Sequence, residues 1–418
     1  MFLREDFKMP DSNFLDVTPI GGELGTSMSK FCEDGRIIAF SSVVGDSLSE
    51  NLEINWQKMN RSTDHRWIRN LAIFDESKGT WRYVGAMTRN SNQINWFTHK
   101  GVIQNYADAF VGIQAGLFCL SQEREDNDLE PLKKTGIGFG IPFKAGESMA
   151  EAFFNYIKDR LKEENGSKYL YIKAKNVATG EIKELKIQLS FLLIQFQAYG
   201  AYMAFLMKKF GMRLYNTYVV DVGHGTWIKL PVVENEADIN LSDSVPEGIH
   251  TVTTNISQAI FESSGQHYKI PEQRIMEKLP KQEFKIEIPG SGVFDFKKIL
   301  DRECETICDH IVQAVKNDLA ALSRKGKSID YFAMVGGGAS LMLDMFREKM
   351  REYYGWSEEI AKDRILGAPD INVDHRFVNC AGFMLLARDQ IALELGQDVN
   401  QKLEIVSTST DVLENFRI

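Results

Sequence analysis

Short apolar runs bounded by glycine, proline and asparagine alternate along this chain with longer segments in which apolar residues recur every three or four positions. The short runs predict strands and the longer segments predict helices. Residues 14–20 and 28–31 are expected as strands on either side of a glycine turn, and 36–44 as a third strand after Asp34-Gly35. A helix is expected over 101–120, a strand over 136–143 and an amphipathic helix over 148–163. Two strands, 169–175 and 181–196, are expected around the turn 176–180. A helix over 198–210 has Lys208 and Lys209 in its last turn and Gly211 just past it, a sensible end for a helix. A second set begins at Asn216, with a hairpin of 217–222 and 226–233 and helices over 248–263, 271–279 and 296–323. In the last of these Leu300, Cys304, Ile307, Ile311, Val315, Leu319 and Leu322 keep close to a 3.6-residue period. A strand over 329–335 and helices over 339–354 and 378–395 follow. A hairpin followed by alternating strands and helices thus occurs twice. That predicts a mixed α/β chain of two related lobes.

With 418 residues, the chain has room for two to three domains. Its 44% apolar and 26% charged residues suit an ordinary globular protein. The net charge of −9 argues against direct binding to bare DNA, which needs clustered Lys and Arg. Five scattered cysteines make no disulfide framework and favour a reducing cytoplasm. Cys304 and Cys308, four apart on a helical pattern, read as two small buried residues in preference to half of a metal site. Residues 1–10 contain no apolar core of a secretory leader. The most apolar run, 189–207, is broken by Gln195, Gln197 and Gly200, and reads as a strand followed by a helix in preference to a membrane span.

Three stretches carry candidate chemistry. They are Glu23-Leu24-Gly25-Thr26-Ser27-Met28-Ser29-Lys30, Asp221-Val222-Gly223-His224-Gly225-Thr226 and Val335-Gly336-Gly337-Gly338-Ala339-Ser340. Tight glycine turns let backbone N–H groups reach an anion with no side chain in the way. The apolar run Tyr218-Val219-Val220 leads straight into Asp221, and Gly336-Gly337-Gly338 opens a helix whose first N–H groups lack partners. The spacing fits neither a dinucleotide-binding Gly-x-Gly-x-x-Gly unit nor a Gly-x-x-x-x-Gly-Lys-Ser/Thr loop. His224 is expected at the turn surface, facing solvent or phosphate, since no catalytic partner is evident for it.

The order of these stretches resembles the actin-like ATPase superfamily, and within it the prokaryotic ParM-type filament proteins. The segment Phe377-Val378-Asn379-Cys380-Ala381-Gly382 and the early strand 37–45 resemble the same group. The resemblance implies an actin-like α/β fold with two ribonuclease H-like lobes and a nucleotide cleft between them. It divides the chain into a first lobe, 1–215, with an inserted subdomain over 46–135, a second lobe, 216–377, and a returning helix and tail, 378–418. It implies ATP, or GTP, with Mg²⁺ as cofactors. Glu23 and Asp221 would hold the metal, Glu23 standing where the family usually has Asp, and Asp16 is its rival. Gly25, Thr26, Ser27, Lys30, Gly223, His224, Gly225 and Thr226 would meet the phosphates. Gly336, Gly337, Gly338 and Ala339 would meet base and ribose, with Glu277 and Lys278 near the adenosine. Gln197 falls where relatives carry the residue that orients the attacking water. An amide can hold water but cannot take its proton, which suits slow hydrolysis.

The function implied is a filament-forming ATPase that assembles with nucleotide and disassembles after hydrolysis, most commonly in plasmid or other DNA segregation. Its partners would be copies of itself and a basic DNA-binding adaptor, with no membrane span. A small-molecule kinase or phosphatase of the same fold, or a nucleotide-binding scaffold that does not polymerise, are the competing readings.

Overall fold

A computed structural model describes residues 3–6, 16–49, 53–54, 65–99, 102–290 and 292–394 of the protein. The chain divides into two units, one formed by Met1–Leu214 with Pro369–Arg417 and the other by Tyr215–Ala368.

The main sheet of the first unit runs in the order Arg36–Ser41, Met28–Glu33, Thr18–Leu24, Lys134–Ile141, Ile182–Phe196, Ser167–Asn176, Leu71–Asp75, Thr80–Val84, Val43–Asp46, Ile94–Trp96. Thr18–Leu24 pairs antiparallel with Met28–Glu33 and parallel with Lys134–Ile141, which in turn pairs parallel with Ile182–Phe196. Pro19 is tolerated because Thr18–Leu24 has a partner on only one side there; pairing with Met28–Glu33 begins at Gly21. The first half of Ile182–Phe196 alternates between exposed and covered residues, and its second half is buried throughout. That change from half-covered to fully covered strand explains the apolar run at 189. The run continues into helix Gln197–Lys208, and no helix among the described residues is long and apolar enough to cross a membrane. Helix Val378–Glu394 packs against helix Gln197–Lys208 and strand Thr18–Leu24, and is apolar on nearly every side over its first ten residues because protein covers it on every side.

The second unit repeats the connection pattern. Its sheet runs Glu236–Ala237, Trp227–Val233, Thr217–Val222, Tyr331–Val335, Ile365–Gly367. Thr217–Val222 pairs antiparallel with Trp227–Val233 and parallel with Tyr331–Val335, which pairs parallel with Ile365–Gly367. Each unit therefore holds an antiparallel hairpin followed by two parallel neighbours, the architectural duplication expected from the sequence. The core of the second unit lies between Val220, Val222, Phe332 and Met334 of the sheet and Ile249, Ile256, Leu300, Ile307, Ile311 and Phe346 of the helices. Cys304 and Cys308 are buried in that core, where desolvation pushes both thiols up to about 12. All five cysteines are free and buried.

Several boundaries differ from the expected ones. The helix placed at 101–120 is Tyr106–Asp126, because Asn105 caps it, accepting the Ala107 N–H at 2.8 Å, while Val102–Ile103 pairs with Thr98–His99. The helix placed at 148–163 ends at Lys158. Lys162–Glu164 instead turns back on Ser167–Asn176 through Asn165 and Gly166, both at positive φ, an Asn-Gly hairpin turn. The first strand covers Thr18–Leu24, so Glu23 lies within it; Phe14 and Leu15 are outside the described residues, as is the tail 395–418. The hairpin Lys285–Ile288 with Gly292–Asp295, helix Glu358–Arg364 and strand Ile365–Gly367 lie where no element was expected.

Candidate functional site

In both units the candidate residues collect at the carboxyl ends of parallel strands, the edge at which α/β sheets bind ligands. Glu23 is the penultimate residue of Thr18–Leu24, and Gln197 directly follows Ile182–Phe196. Asp221 is the penultimate residue of Thr217–Val222, and Gly336 directly follows Tyr331–Val335.

In the first unit, the Gly25 N–H donates to the Met28 carbonyl at 3.0 Å and closes the turn between the two strands. Glu23 and Lys30 face each other across the hairpin and form an ion pair, with the carboxylate almost fully buried. Lys30 Nζ donates to Oε1, and the buried Oε2 has no hydrogen-bond partner among the described residues. A buried carboxylate oxygen left unpaired costs free energy unless water or a cation satisfies it. Asp16 is exposed and lies before the strand, which favours Glu23 over its rival. Gln197 is buried at the first position of its helix, and its Nε2 donates to the Leu24 carbonyl at 3.3 Å. The same helix is held by Asn379, whose Oδ1 accepts the Ala201 N–H at 3.1 Å. Glu23, Gly25, Lys30 and Gln197 are thus one neighbourhood. Ser27 contributes its carbonyl to the Ser42 N–H at 3.0 Å, and Thr26 is half-buried in the turn.

In the second unit, the Gly223 N–H donates to the Thr226 carbonyl at 2.8 Å. The start of helix Ile249–Ser263 then takes the turn's carbonyls: Ile249 N–H reaches Gly223 O at 3.2 Å and His250 N–H reaches His224 O at 2.7 Å. A trans peptide points its C=O and the following N–H in opposite directions. With the carbonyls of residues 223 and 224 committed to the helix, the amides of His224 and Gly225 face away from it, as an anion-binding turn requires. Gly336, at φ +87°, lies so close to Asp221 that a Cβ would come within 2.2 Å of Oδ1 and 2.5 Å of the Val222 carbonyl, and so must be glycine. The Gly338 N–H donates to that Val222 carbonyl at 2.8 Å, and Ala339 begins a 16-residue helix. Asp221, Gly223–Thr226 and the triple glycine are therefore locked together by backbone contacts. Gly337 is exposed, and its carbonyl accepts from Ser340 Oγ at 3.0 Å. Glu277 and Lys278 follow the short helix Glu272–Met276, whose Glu272 pairs with His250, and Lys278 pairs with Glu283 at 2.9 Å.

His224, expected to face solvent or phosphate, is half-buried in the turn. Its ring lies tilted by 45° to that of His250 with centroids 5.3 Å apart, and buries Nδ1 with no partner among the described residues. Burial first, then the neighbouring His250, lowers its pKa to about 4, partly opposed by Glu272. Glu272 is held by His250 Nδ1 at 2.8 Å and by Thr253 Oγ1 at 3.3 Å. Nothing local in the sequence marks this cluster, since His250 and Glu272 are 26 and 48 residues from His224.

The His224 burial has a consequence for stability. An unfolded histidine titrates near 6.5, so between about pH 6.5 and 4 the unfolded chain binds the proton that folded His224 refuses. Stability therefore falls as pH falls through that window, by about 2 kcal/mol at pH 5 as an order of magnitude. Urea unfolding at pH 7.5 and pH 5 is expected to show this loss in the wild type and a smaller one in His224→Asn. Equal losses in both proteins would remove His224 as the cause.

The residues fit a phosphate-bound divalent cation in kind. Mg²⁺ takes one or two carboxylates and keeps several waters, and no three His, Cys, Asp or Glu side chains cluster as a ready metal site among the described residues. Glu23 with its unpaired oxygen and Asp221 beside the turn are carboxylates of the required type.

Residues 219–348 match the family model for the archaeal actin homologue MreB-like, C-terminal. No curated protein matches the sequence. Among solved structures, the archaeal actin homologue Ta0583 in complex with ADP shares 18% identity at a TM-score of 0.59, covering 88% of this chain and 99% of its own. A 15-stranded ParM filament from Clostridium botulinum shares 18% identity at a TM-score of 0.61, covering 89% and 99%. The actin-like protein Alp7A shares 15% identity at a TM-score of 0.62, covering 90% and 97%. The chain therefore has the actin-like fold, in the form shared by the ParM proteins and the archaeal actin homologues.

Proposed function

We propose that the chain is an actin-like nucleotidase that binds ATP, or GTP, with Mg²⁺, polymerises in the nucleotide-bound state and hydrolyses the nucleotide to time disassembly. The observation that carries this reading is the second-unit turn, where buried Asp221 ends a strand and the following amides are turned outward by their own peptide geometry. Support comes from the Glu23–Lys30 pair beside the Gly25 turn, from the ADP held by Ta0583, and from the filament formed by the Clostridium botulinum ParM. Glu23 and Asp221 would hold the metal, which when bound neutralises charge on the phosphates. Lys30 would neutralise phosphate directly, and the amides of His224 and Gly225 would bind its oxygens. Gly336, Gly337, Gly338 and Ala339 would lie against base and ribose. Gln197, with its nitrogen donating to Leu24, would keep its carbonyl oxygen for the attacking water.

A kinase acting on a small hydroxyl compound needs a base to take the hydroxyl proton; Gln197 is an amide, which disfavours that alternative. DNA segregation through a basic adaptor protein is the cellular role we assign, because an acidic subunit cannot hold DNA by itself.

Sedimentation and phosphate release, with ATP, GTP, ADP and no nucleotide in Mg²⁺, test the reading. Pelleting is expected with a triphosphate. Gln197→Ala is expected to assemble but to release phosphate ~10²-fold more slowly, the scale of a lost positioning group, so that its polymer persists. Polymer that decays at the wild-type rate would remove Gln197 as the timer. A protein that stays monomeric in all four conditions while phosphorylating a metabolite would replace this function with the kinase.

A further inference from the structure

The second-unit turn carries an imidazole that the proposed function does not use. His224 sits in the middle of the turn whose outward amides are its own and that of Gly225, and its Nδ1 is buried without a hydrogen-bond partner among the described residues. A buried polar atom left unpaired calls for an explanation such as an absent ligand or water. Four titratable groups lie on the elements around it. The ring of His250, from helix Ile249–Ser263, lies tilted against it with centroids 5.3 Å apart. Glu272 is occupied by His250 and Thr253. Asp221 stands three residues earlier. Glu247, just before the helix, is paired with His310 at 2.9 Å.

We propose that His224 couples nucleotide binding to proton uptake at mildly acidic pH: neutral in the free protein, its ring takes up a proton from solvent there when a nucleoside polyphosphate occupies the turn, and its Nδ1–H then donates to a phosphate oxygen or to a water bound there. The inference rests on the reading of 223–226 as a phosphate turn. The physical case has two parts. In the free protein, desolvation and the neighbouring His250 both disfavour a charged ring, and the Glu272 carboxylate, which opposes them, is already engaged by His250 and Thr253. A phosphate bonded to an amide of the turn lies within about 7 Å of the ring, judging from hydrogen-bond and backbone dimensions. One net negative charge there favours the protonated ring by roughly 50-fold at an effective dielectric of about 20. The sign follows from linkage: the complex binds the proton more tightly than the free protein, so affinity rises as pH falls. The expected gain is roughly fivefold to tenfold between pH 7.5 and pH 5.

Calorimetric titration of the full chain with ADP in excess Mg²⁺, at pH 5.5 in two buffers of different ionisation heat, counts the protons. Wild type is expected to take up about half a proton more than His224→Asn, a difference that cancels any proton bound by the nucleotide itself. Equal counts would overturn the inference and leave the nucleotide reading standing. Absence of ADP and ATP binding by the wild type at every pH would overturn both. Should His224→Asn fail to fold, histidine-labelled wild type gives the answer without a variant. One of the seven histidines should titrate at higher pH when ADP is present, and seven unchanged titrations would overturn the inference.

Discussion

Asp221→Asn is expected to abolish nucleotide hydrolysis, with phosphate release down at least ~10²- to 10³-fold, the range measured when one preorganised polar group is lost from a charged transition state. The change is nearly isosteric, which matters at this position. Asp221 is almost fully buried, in register with Val335 and Ile228, and its Oδ1 lies against the Gly336 backbone. A smaller residue would leave a gap beneath the triple glycine and confuse loss of packing with loss of charge. Phosphate release and thermal unfolding are measured together. Wild-type release from a folded Asp221→Asn protein would end the assignment of this carboxylate to the metal. Glu23→Gln is expected to lower hydrolysis similarly, whereas exposed Asp16, replaced by asparagine, should have no effect. If Asp16→Asn is the damaging change, the first turn has been aligned to the wrong acid.

The second turn was the easier to read because its information is local. Tyr218-Val219-Val220 dictates a buried strand, Asp221 ends it, and glycine marks where the backbone must bend. Helix Ala339–Tyr354 was legible to the residue for the same reason: three glycines cannot continue a strand, and a 3.6-residue apolar period follows at once. Glu23 was harder. Sequence placed it in a turn, whereas pairing across the hairpin with Lys30 draws it into the strand and buries it. Gln197 was found by its place between apolar strand and helix, but its link to Leu24 joins residues 173 apart and belongs to the tertiary fold. The burial of His224 was not legible at all, because helix Ile249–Ser263 supplies both the covering ring and the donors that orient the turn. The Asn165-Gly166 turn, by contrast, is a local signal: the dipeptide marks a hairpin, but the helical period that ends at Lys158 extends in pattern over the short strand Lys162–Glu164 and hides it.

Gly382→Ala is expected to destabilise the first unit by about 2 kcal/mol or more, although alanine is the better helix former. The two effects oppose each other and their sizes decide the sign. Within a helix such as Val378–Glu394, glycine to alanine gains about 1 kcal/mol from propensity. Here the new Cβ would lie 1.7 Å from the Gly200 carbonyl oxygen and 2.5 Å from its carbon. Both are backbone atoms of helix Gln197–Lys208, so no side chain can swing aside and the two helices must separate. Overpacking of this kind costs about 1–3 kcal/mol and occasionally more; a 1.7 Å approach to a backbone atom belongs at or above the upper end, leaving about 2 kcal/mol after the propensity gain, and the separation would also open contacts around Phe383, Tyr202 and Ala204 that are fully buried. For a unit of this size the net loss lowers Tm by roughly 4–8 °C. Gly200→Ala approaches the same crossing from the other side, 2.4 Å from the Asn379 carbonyl, and the pair should be non-additive because one separation of the helices relieves both clashes. The separation has a second readout. Asn379 holds the Ala201 N–H and so fixes the start of the helix that begins with Gln197; moving it should slow hydrolysis even where the protein remains folded. Thermal melts of both single variants and the double variant check the expectation, and a Gly382→Ala protein with unchanged or raised Tm would show that the helices are not held at this distance.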